Sequence, residues 1–279
     1  MTVLDSRPDD ARRLSQGGAL RLGAVSYLNT KPLVYGLDAY PEQFDVRFDV
    51  PAKCAELLHE GRVDLGLIPA IEYLRGKYAI VPDISIASDG DVATVAIFTR
   101  KPIDTVKTLA LDLSSRTSVA LTRVLCSKHW RIAPKFTPAE PDLDNMLLRA
   151  DAALVIGDPA FDIDPFKHGL AKIDLGAEWK ALTGLPFVYA MWVGRPGAAT
   201  PEQCRALQQA RDAGVANLGR IAKEVSSGNA RLEQRVLSYL RDNLQYRLGP
   251  AEQAGLRRFH ELAAEIGVVP GLEPLRFFD

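Results

Sequence analysis

Four apolar segments in this chain end alike, each delivering small polar residues to the point where a helix begins. They read VSYLNTKP (Val25 to Pro32), LGLIPAIEYL (Leu65 to Leu74), LALDLSSRTSVAL (Leu109 to Leu121) and AALVIGDPAF (Ala152 to Phe161). Short apolar runs alternating with longer helical patterns are what βαβ units leave in a sequence, so the chain is expected to be α/β. In an open parallel sheet, ligands sit beyond the carboxyl ends of the strands, and free N–H groups at helix starts bind anions. Several such ends converging would hold an anion without any net positive charge. That matters here, because 34 basic residues face 35 acidic ones for a net charge of −1. No overall field draws in nucleic acid or an anionic membrane.

Strands are expected at Leu20 to Val25, Phe44 to Val50, Asp64 to Ile68, Val92 to Phe98, Thr108 to Leu113, Ala153 to Ile156 and Phe187 to Val193. Pro32, Pro51 and Pro69 follow strands at once and mark helix starts, where a first-turn proline loses no hydrogen bond. From Pro201 onward the apolar period becomes 3.6, with Leu207, Ala210, Gly214, Leu218 and Ile221 on one face. Leu232, Val236, Leu237 and Leu240 line the next helix, after a break at Gly228 and Asn229. The interspersed charges of these helices read as solvated faces.

Cys54, Cys126 and Cys204 lie far apart with no metal-type spacing, so reduced structural thiols and no metal are expected. Residues 1–19 read as a polar tail without the apolar core of a signal peptide, and no run is long enough to span a membrane, which together point to the cytoplasm. His59, His129, His168 and His260 all lie outside the four strand ends, so a histidine base finds no support.

Ser115, Arg116, Thr117 and Ser118 combine hydroxyls, backbone donors and a guanidinium that can grip a carboxylate bidentately. The competing reading is that Ser114 or Ser115 merely caps the helix. Asn29 and Thr30 face the same choice, and Lys31 alone is an ordinary surface lysine. Asp158 either binds a ligand hydroxyl or caps the next segment. Glu72 supports a helix start or faces the ligand, and Tyr27 and Tyr73 line a cleft or fill the core.

Taken in order, SYLNTKPL, LGLIPAIEYL, LDLSSRTSVAL, DAALVIGDPAF and TGLPFVYAMW resemble the chorismate dehydratase family of the futalosine route to menaquinone, from about residue 20 to the end. The resemblance is closer than to the sister 1,4-dihydroxy-6-naphthoate synthases, which share the fold. It implies a two-lobed type II periplasmic-binding-protein-like fold with the ligand in the cleft between lobes. Lobe one is then expected at 20–98 plus 193–279 and lobe two at 99–192, with crossings near 99–102 and 192–196. The implied reaction converts chorismate to 3-[(1-carboxyvinyl)oxy]benzoate and water, with no cofactor, metal, nucleic acid or membrane partner.

Chorismate carries two carboxylates and gains aromaticity on losing water, so the enzyme mainly orients groups and stabilises charge. The resemblance implies catalytic roles for Asn29 and Thr94, with the substrate's enolpyruvyl carboxylate as proton acceptor, positioned by Asn29. Ser26, Tyr27, Thr30, Ser115, Arg116, Thr117, Ser118, Gly157 and Asp158 are the expected substrate-binding residues. Thr94 and Ala70 depart from the family, which usually has serine at the first position and often at the second. The other readings are a small-anion-binding protein of the same fold, weakened by the absence of an export signal, and the sister 1,4-dihydroxy-6-naphthoate synthase activity, which SYLNTKPL disfavours.

Overall fold

The computed structural model describes residues 18–279, so the expected tail lies outside the described residues except for Gly18 and Ala19. Eleven strands form two mixed sheets. The first holds β1 (Leu20–Val25), β2 (Phe44–Asp49), β3 (Leu65–Pro69), β4 (Ala79–Ile80), β5 (Ile86–Ser88) and β11 (Phe187–Gly194), in the order β2-β1-β3-β11-β4 with β5 also on β11. The second holds β6 (Val95–Thr99), β7 (Thr108–Asp112), β8 (Lys135–Ala139), β9 (Ala152–Ile156) and β10 (Ala171–Asp174), in the order β10-β6-β9-β7-β8.

All seven expected strands form. The four unexpected ones are β4 and β5, only 2 and 3 residues long, and β8 and β10, the two edges of the second sheet. β8 carries Pro138 and a half-exposed pattern, features an edge strand tolerates because one side of its backbone needs no partner. Neither sheet is purely parallel. β1, β2 and β3 run parallel, as do β7, β8 and β9, while β11 is antiparallel to β3 and β6 is antiparallel to β9.

By sheet membership, β6 belongs to the second layer and β11 to the first. The chain therefore crosses at 89–94 and returns through 175–186, earlier than the 99–102 and 192–196 expected. The polar tract after Thr99 resembles a linker, but it only leads from β6 into β7.

Helix starts also differ from expectation. Pro51 does open α1 (Pro51–His59) at its first turn. Pro32 instead sits inside a 3-10 helix, Leu28–Val34, and Pro69 ends β3 before another 3-10 helix, Ala70–Arg75, with shorter ones at Leu37–Ala39 and Ile103–Thr105. A proline φ suits both settings, since 3-10 and extended polyproline backbone share it. The remaining helices are α2 (Arg116–Lys128), α3 (Leu143–Arg149), α4 (Gly157–Asp162), α5 (Leu175–Thr183), α6 (Pro201–Ala216), α7 (Leu218–Ser226), α8 (Ala230–Ser238) and α9 (Pro250–Glu265). A single π turn, Tyr239–Asn243, continues α8.

The expected apolar stripe of the C-terminal helices is buried except at Leu232 and Leu237, which are half-buried, and it does more than fill the core. At Gly214 helix α6 meets the Leu28–Val34 segment so closely that an added Cβ would lie 2.1 Å from the Pro32 carbonyl oxygen. Trp179 of α5, Phe187 of β11 and Phe259 of α9 form a buried edge-to-face hub, with centroids 4.9 to 6.1 Å apart. His260 is buried against Tyr73, bonded to the Ala70 carbonyl, and pushed down to about 4 by desolvation, so it packs as a neutral ring. All three cysteines are buried, and burial pushes the Cys54 and Cys126 thiols up to about 12, as inert packing groups require. Among the described residues no helix is long and apolar enough to cross a membrane.

The Gly214 contact gives a test of how the C-terminal helices hold the cleft. Gly214→Ala is expected to destabilise the protein by about 1–3 kcal/mol in urea melts, the usual magnitude of overpacking. It should also weaken ligand binding, because the 3-10 segment that moves carries Asn29.

Candidate functional site

The four strand ends meet in pairs, those of β1 and β3 facing those of β7 and β9. A helix leaves its first N–H groups without internal partners, and in this protein the opposite sheet supplies the acceptors. The Ala52 N–H, in the first turn of α1, donates to the Ser114 carbonyl at 2.9 Å. The Leu28 N–H donates to Asp158 Oδ1 at 3.0 Å, and the Ile71 N–H to Thr117 Oγ1 at 3.1 Å. A longer contact, 3.4 Å, runs from the Tyr27 hydroxyl to Ser114 Oγ. The two layers are thus closed on one another.

Between them lies a narrow cleft of about 40 Å³, whose polar lining comes from Tyr27, Asn29, Thr94, Ser115, Ser118 and Tyr189. Gly157 completes the wall. Its φ of +67° and its approach to the Tyr27 ring, 2.5 Å from an added Cβ, exclude any side chain. Six expected site residues therefore share one space: Tyr27, Asn29, Thr94, Ser115, Ser118 and Gly157.

The other five point elsewhere. Ser26 is exposed, and Thr30 is buried behind Asn29, with its hydroxyl 3.4 Å from Asn29 Oδ1. Thr117 and Asp158 are occupied by the seam bonds just described. Burial, the largest influence, raises the Asp158 carboxyl, while the Leu28 N–H and exposed Lys31 oppose that rise. Arg116 turns away from the cleft and pairs with Glu72 at 2.8 Å and Glu56 at 3.2 Å. Ser115 caps α2 by accepting from the Ser118 N–H, and helical rotation puts Ser115 and Ser118 on the cleft face and Arg116 on the next. Ser115 therefore caps the helix, as the capping reading expected, and its side chain also lines the cleft.

Sequence reasoning missed the groups behind the lining. Tyr239, 3% exposed, places its hydroxyl 2.8 Å from Thr94 Oγ1. Tyr189 bonds Ser88 at 3.1 Å. Asp174 caps α5 and also accepts the Val92 and Ala93 N–H groups, at 3.0 and 2.7 Å, which fixes the crossing segment that carries Thr94. Ala93 is held there at φ +66°, a conformation that side-chain-bearing residues adopt rarely. The apolar register of α8 gives no sign that Tyr239 differs from its core neighbours Val236 and Leu240. Among the described residues no group of three or more metal-ligating side chains occurs.

A buried, ion-paired carboxylate sits at the seam. Glu72 is fully buried and collects His59 at 2.9 Å, Arg75 at 3.0 Å and Arg116 at 2.8 Å. Burial is the largest influence on this carboxyl and would raise it, but these partners together hold it below the usual carboxylate range.

Known proteins place this architecture. A family model described as menaquinone biosynthesis matches residues 20–265. A chorismate dehydratase from Thermus thermophilus is 31% identical over 258 residues, which is 86% of this chain and 93% of that protein. A chorismate dehydratase from Campylobacter jejuni is 31% identical over 177 residues, 60% of this chain and 64% of that protein. Among solved structures, a protein from Archaeoglobus fulgidus superposes with a TM-score of 0.71 at 17% identity, covering 90% of this chain and 98% of its own. The alkanesulfonate-binding protein SsuA from Xanthomonas axonopodis bound to MOPS reaches 0.64 at 15% identity, covering 91% and 95%. The fold is therefore the two-lobed periplasmic-binding-protein-like one.

The Glu72 cluster has a pH signature. A carboxyl held below its unfolded value adds stability that is complete above the unfolded pKa, about 4.3, and is lost as pH falls through the folded one. Glu72→Gln is expected to cost about 2–3 kcal/mol at pH 7, since its partners are part-exposed and only one end of the cluster is dry. Denaturation curves taken from pH 7 down to pH 3 should show the gap between wild type and variant narrowing below about pH 4.3.

Proposed function

The chain belongs to the menaquinone biosynthesis family, and from that premise we propose that it is a chorismate dehydratase, a hydro-lyase forming 3-[(1-carboxyvinyl)oxy]benzoate. The observation that carries the reading is the gathering of Asn29, Thr94, Ser115 and Ser118 from both sheets around one cleft, in a chain 31% identical to a chorismate dehydratase over most of its length.

The reaction removes the ring hydrogen beside the ether oxygen and the neighbouring hydroxyl. Loss of the hydrogen leaves an electron pair conjugated through the diene to the ring carboxylate. Donors on that carboxylate stabilise the developing charge. Ser115 and Ser118, at the amino end of the 13-residue helix α2, supply hydroxyls where the helix dipole is positive. With Arg116 engaged by Glu72 and Glu56, this clamp is built from neutral donors, and the guanidinium acts on the seam instead.

No histidine or free carboxylate lines the cleft among the described residues, so the substrate's enolpyruvyl carboxylate accepts the proton. Asn29 orients it. Expulsion of the ring hydroxyl makes the ring aromatic, and the departing oxygen takes the proton held by the enolpyruvyl carboxylate and leaves as water. Thr94, which lines the cleft, donates a hydrogen bond to that oxygen in this reading. Its methyl group, absent from the serine usual in the family, makes one wall of the site more apolar.

Incubation with chorismate should produce the aromatic enol ether, followed by absorbance and confirmed by mass. Binding without turnover would instead identify a small-anion-binding protein. In an active enzyme Asn29→Ala should lower kcat by about 10²–10³-fold, the usual loss when an oriented polar group is removed. Unchanged turnover in a folded, chorismate-binding variant would remove Asn29 from the mechanism.

A further inference from the structure

Resting on the dehydratase reading, the geometry points to Tyr239 as a positioning residue that orients Thr94 from behind the cleft. The phenol is buried and lies outside the cleft lining. Its hydroxyl is 2.8 Å from Thr94 Oγ1, the hydroxyl assigned to the departing ring oxygen.

The contact has a sense. The phenol has one proton of its own, and Thr94 Oγ1 is the acceptor within reach. With that oxygen occupied by an incoming donor, the Thr94 proton is free to point into the cleft, toward the leaving hydroxyl. Hydrogen bonds linked in this way polarise each other. Burial raises the Tyr239 hydroxyl well above its ordinary value, so the phenol keeps the proton the arrangement needs.

The placement is held from the opposite lobe. Tyr239 begins the π turn Tyr239–Asn243, a rare geometry that recurs at functional sites. Its ring packs 5.3 Å from Phe161 of α4. One turn earlier, Arg235 donates to the Phe161 carbonyl at 2.6 Å and stacks over the Phe161 ring at 4.4 Å. Asn243 donates to the Asp91 carbonyl at 3.0 Å, in the crossing segment itself. A helix reached late in the chain is thereby tied to the second sheet, beside the crossing that carries Thr94.

Tyr239→Phe keeps the ring and removes only the hydroxyl. In the full-length protein, kcat for chorismate is expected to fall about 10- to 100-fold with KM changed less than about threefold, as for loss of a group acting in the transition state. Thr94→Val and the double variant Thr94→Val/Tyr239→Phe should have equal kcat, because the phenol acts through that hydroxyl. Thr94→Ser should keep most activity alone and lose it when combined with Tyr239→Phe. A purely structural tyrosine would lower the melting temperature and leave kcat unchanged, which would overturn the inference, as would independent losses in the double variant. If Tyr239→Phe does not fold, Arg235→Ala tests the same point by releasing the helix from Phe161, and an unchanged kcat there overturns it. A wild type that fails to convert chorismate refutes the dehydratase reading itself, an outcome separate from any of these.

Discussion

Closure of the two sheets on one another depends on a buried negative charge at their seam. An isolated carboxylate taken out of water carries a heavy desolvation penalty, so Glu72 persists as an ion only because cationic groups converge on it. Arg75 comes from its own lobe, where the His59 ring also hydrogen-bonds the carboxylate, while Arg116 comes from the start of α2 across the seam. Removing Arg116 from the second sheet's helix would leave that charge undercompensated. Closure is therefore favoured electrostatically, while the seam hydrogen bonds at Ala52, Leu28 and Ile71 set its geometry.

This arrangement explains how a fold shared with sulfonate-binding proteins can support catalysis. A binder needs a cleft that recognises an anion, and neutral donors at helix starts do that without a fixed cation. Behind the lining of this cleft stands a second tier of groups, Tyr239 behind Thr94 and Asp174 behind Ala93, which limits how the lining can move. Orienting groups held this way contribute when charge develops, beyond what ground-state recognition requires.

Much of this was legible in the residues. The strands came from apolar runs bounded by turn chemistry, and the four strand ends led to the cleft because parallel strands deliver their carboxyl ends to one side. What stayed hidden was decided by partners distant in sequence. Arg116 looked like a carboxylate grip, but its partner is a glutamate 44 residues earlier, and one step of helical rotation separates its face from that of Ser115. Tyr239 lies 145 residues from Thr94, inside an apolar stripe that marks it only as core. The crossings were displaced because the polar tract after Thr99 imitates a linker, whereas the real crossing is held by contacts to Asp174 that no local pattern announces. Edge strands β8 and β10 escaped because exposed strands carry lysine and proline rather than apolar runs.

The place of β11 in the first sheet has a temporal side. The strands of the second sheet occupy one continuous stretch, 95–174, whereas β3 pairs with a strand that ends at residue 194. On a chain leaving the ribosome, the second layer is complete while the first still lacks its central antiparallel partner and the helices that pack on it. Loop closure over that separation is slow compared with local pairing. The wall bearing Ser115 and Ser118 thus matures before the wall bearing Asn29, and Tyr239 arrives last, so the nascent chain carries no competent cleft until nearly all of it has emerged.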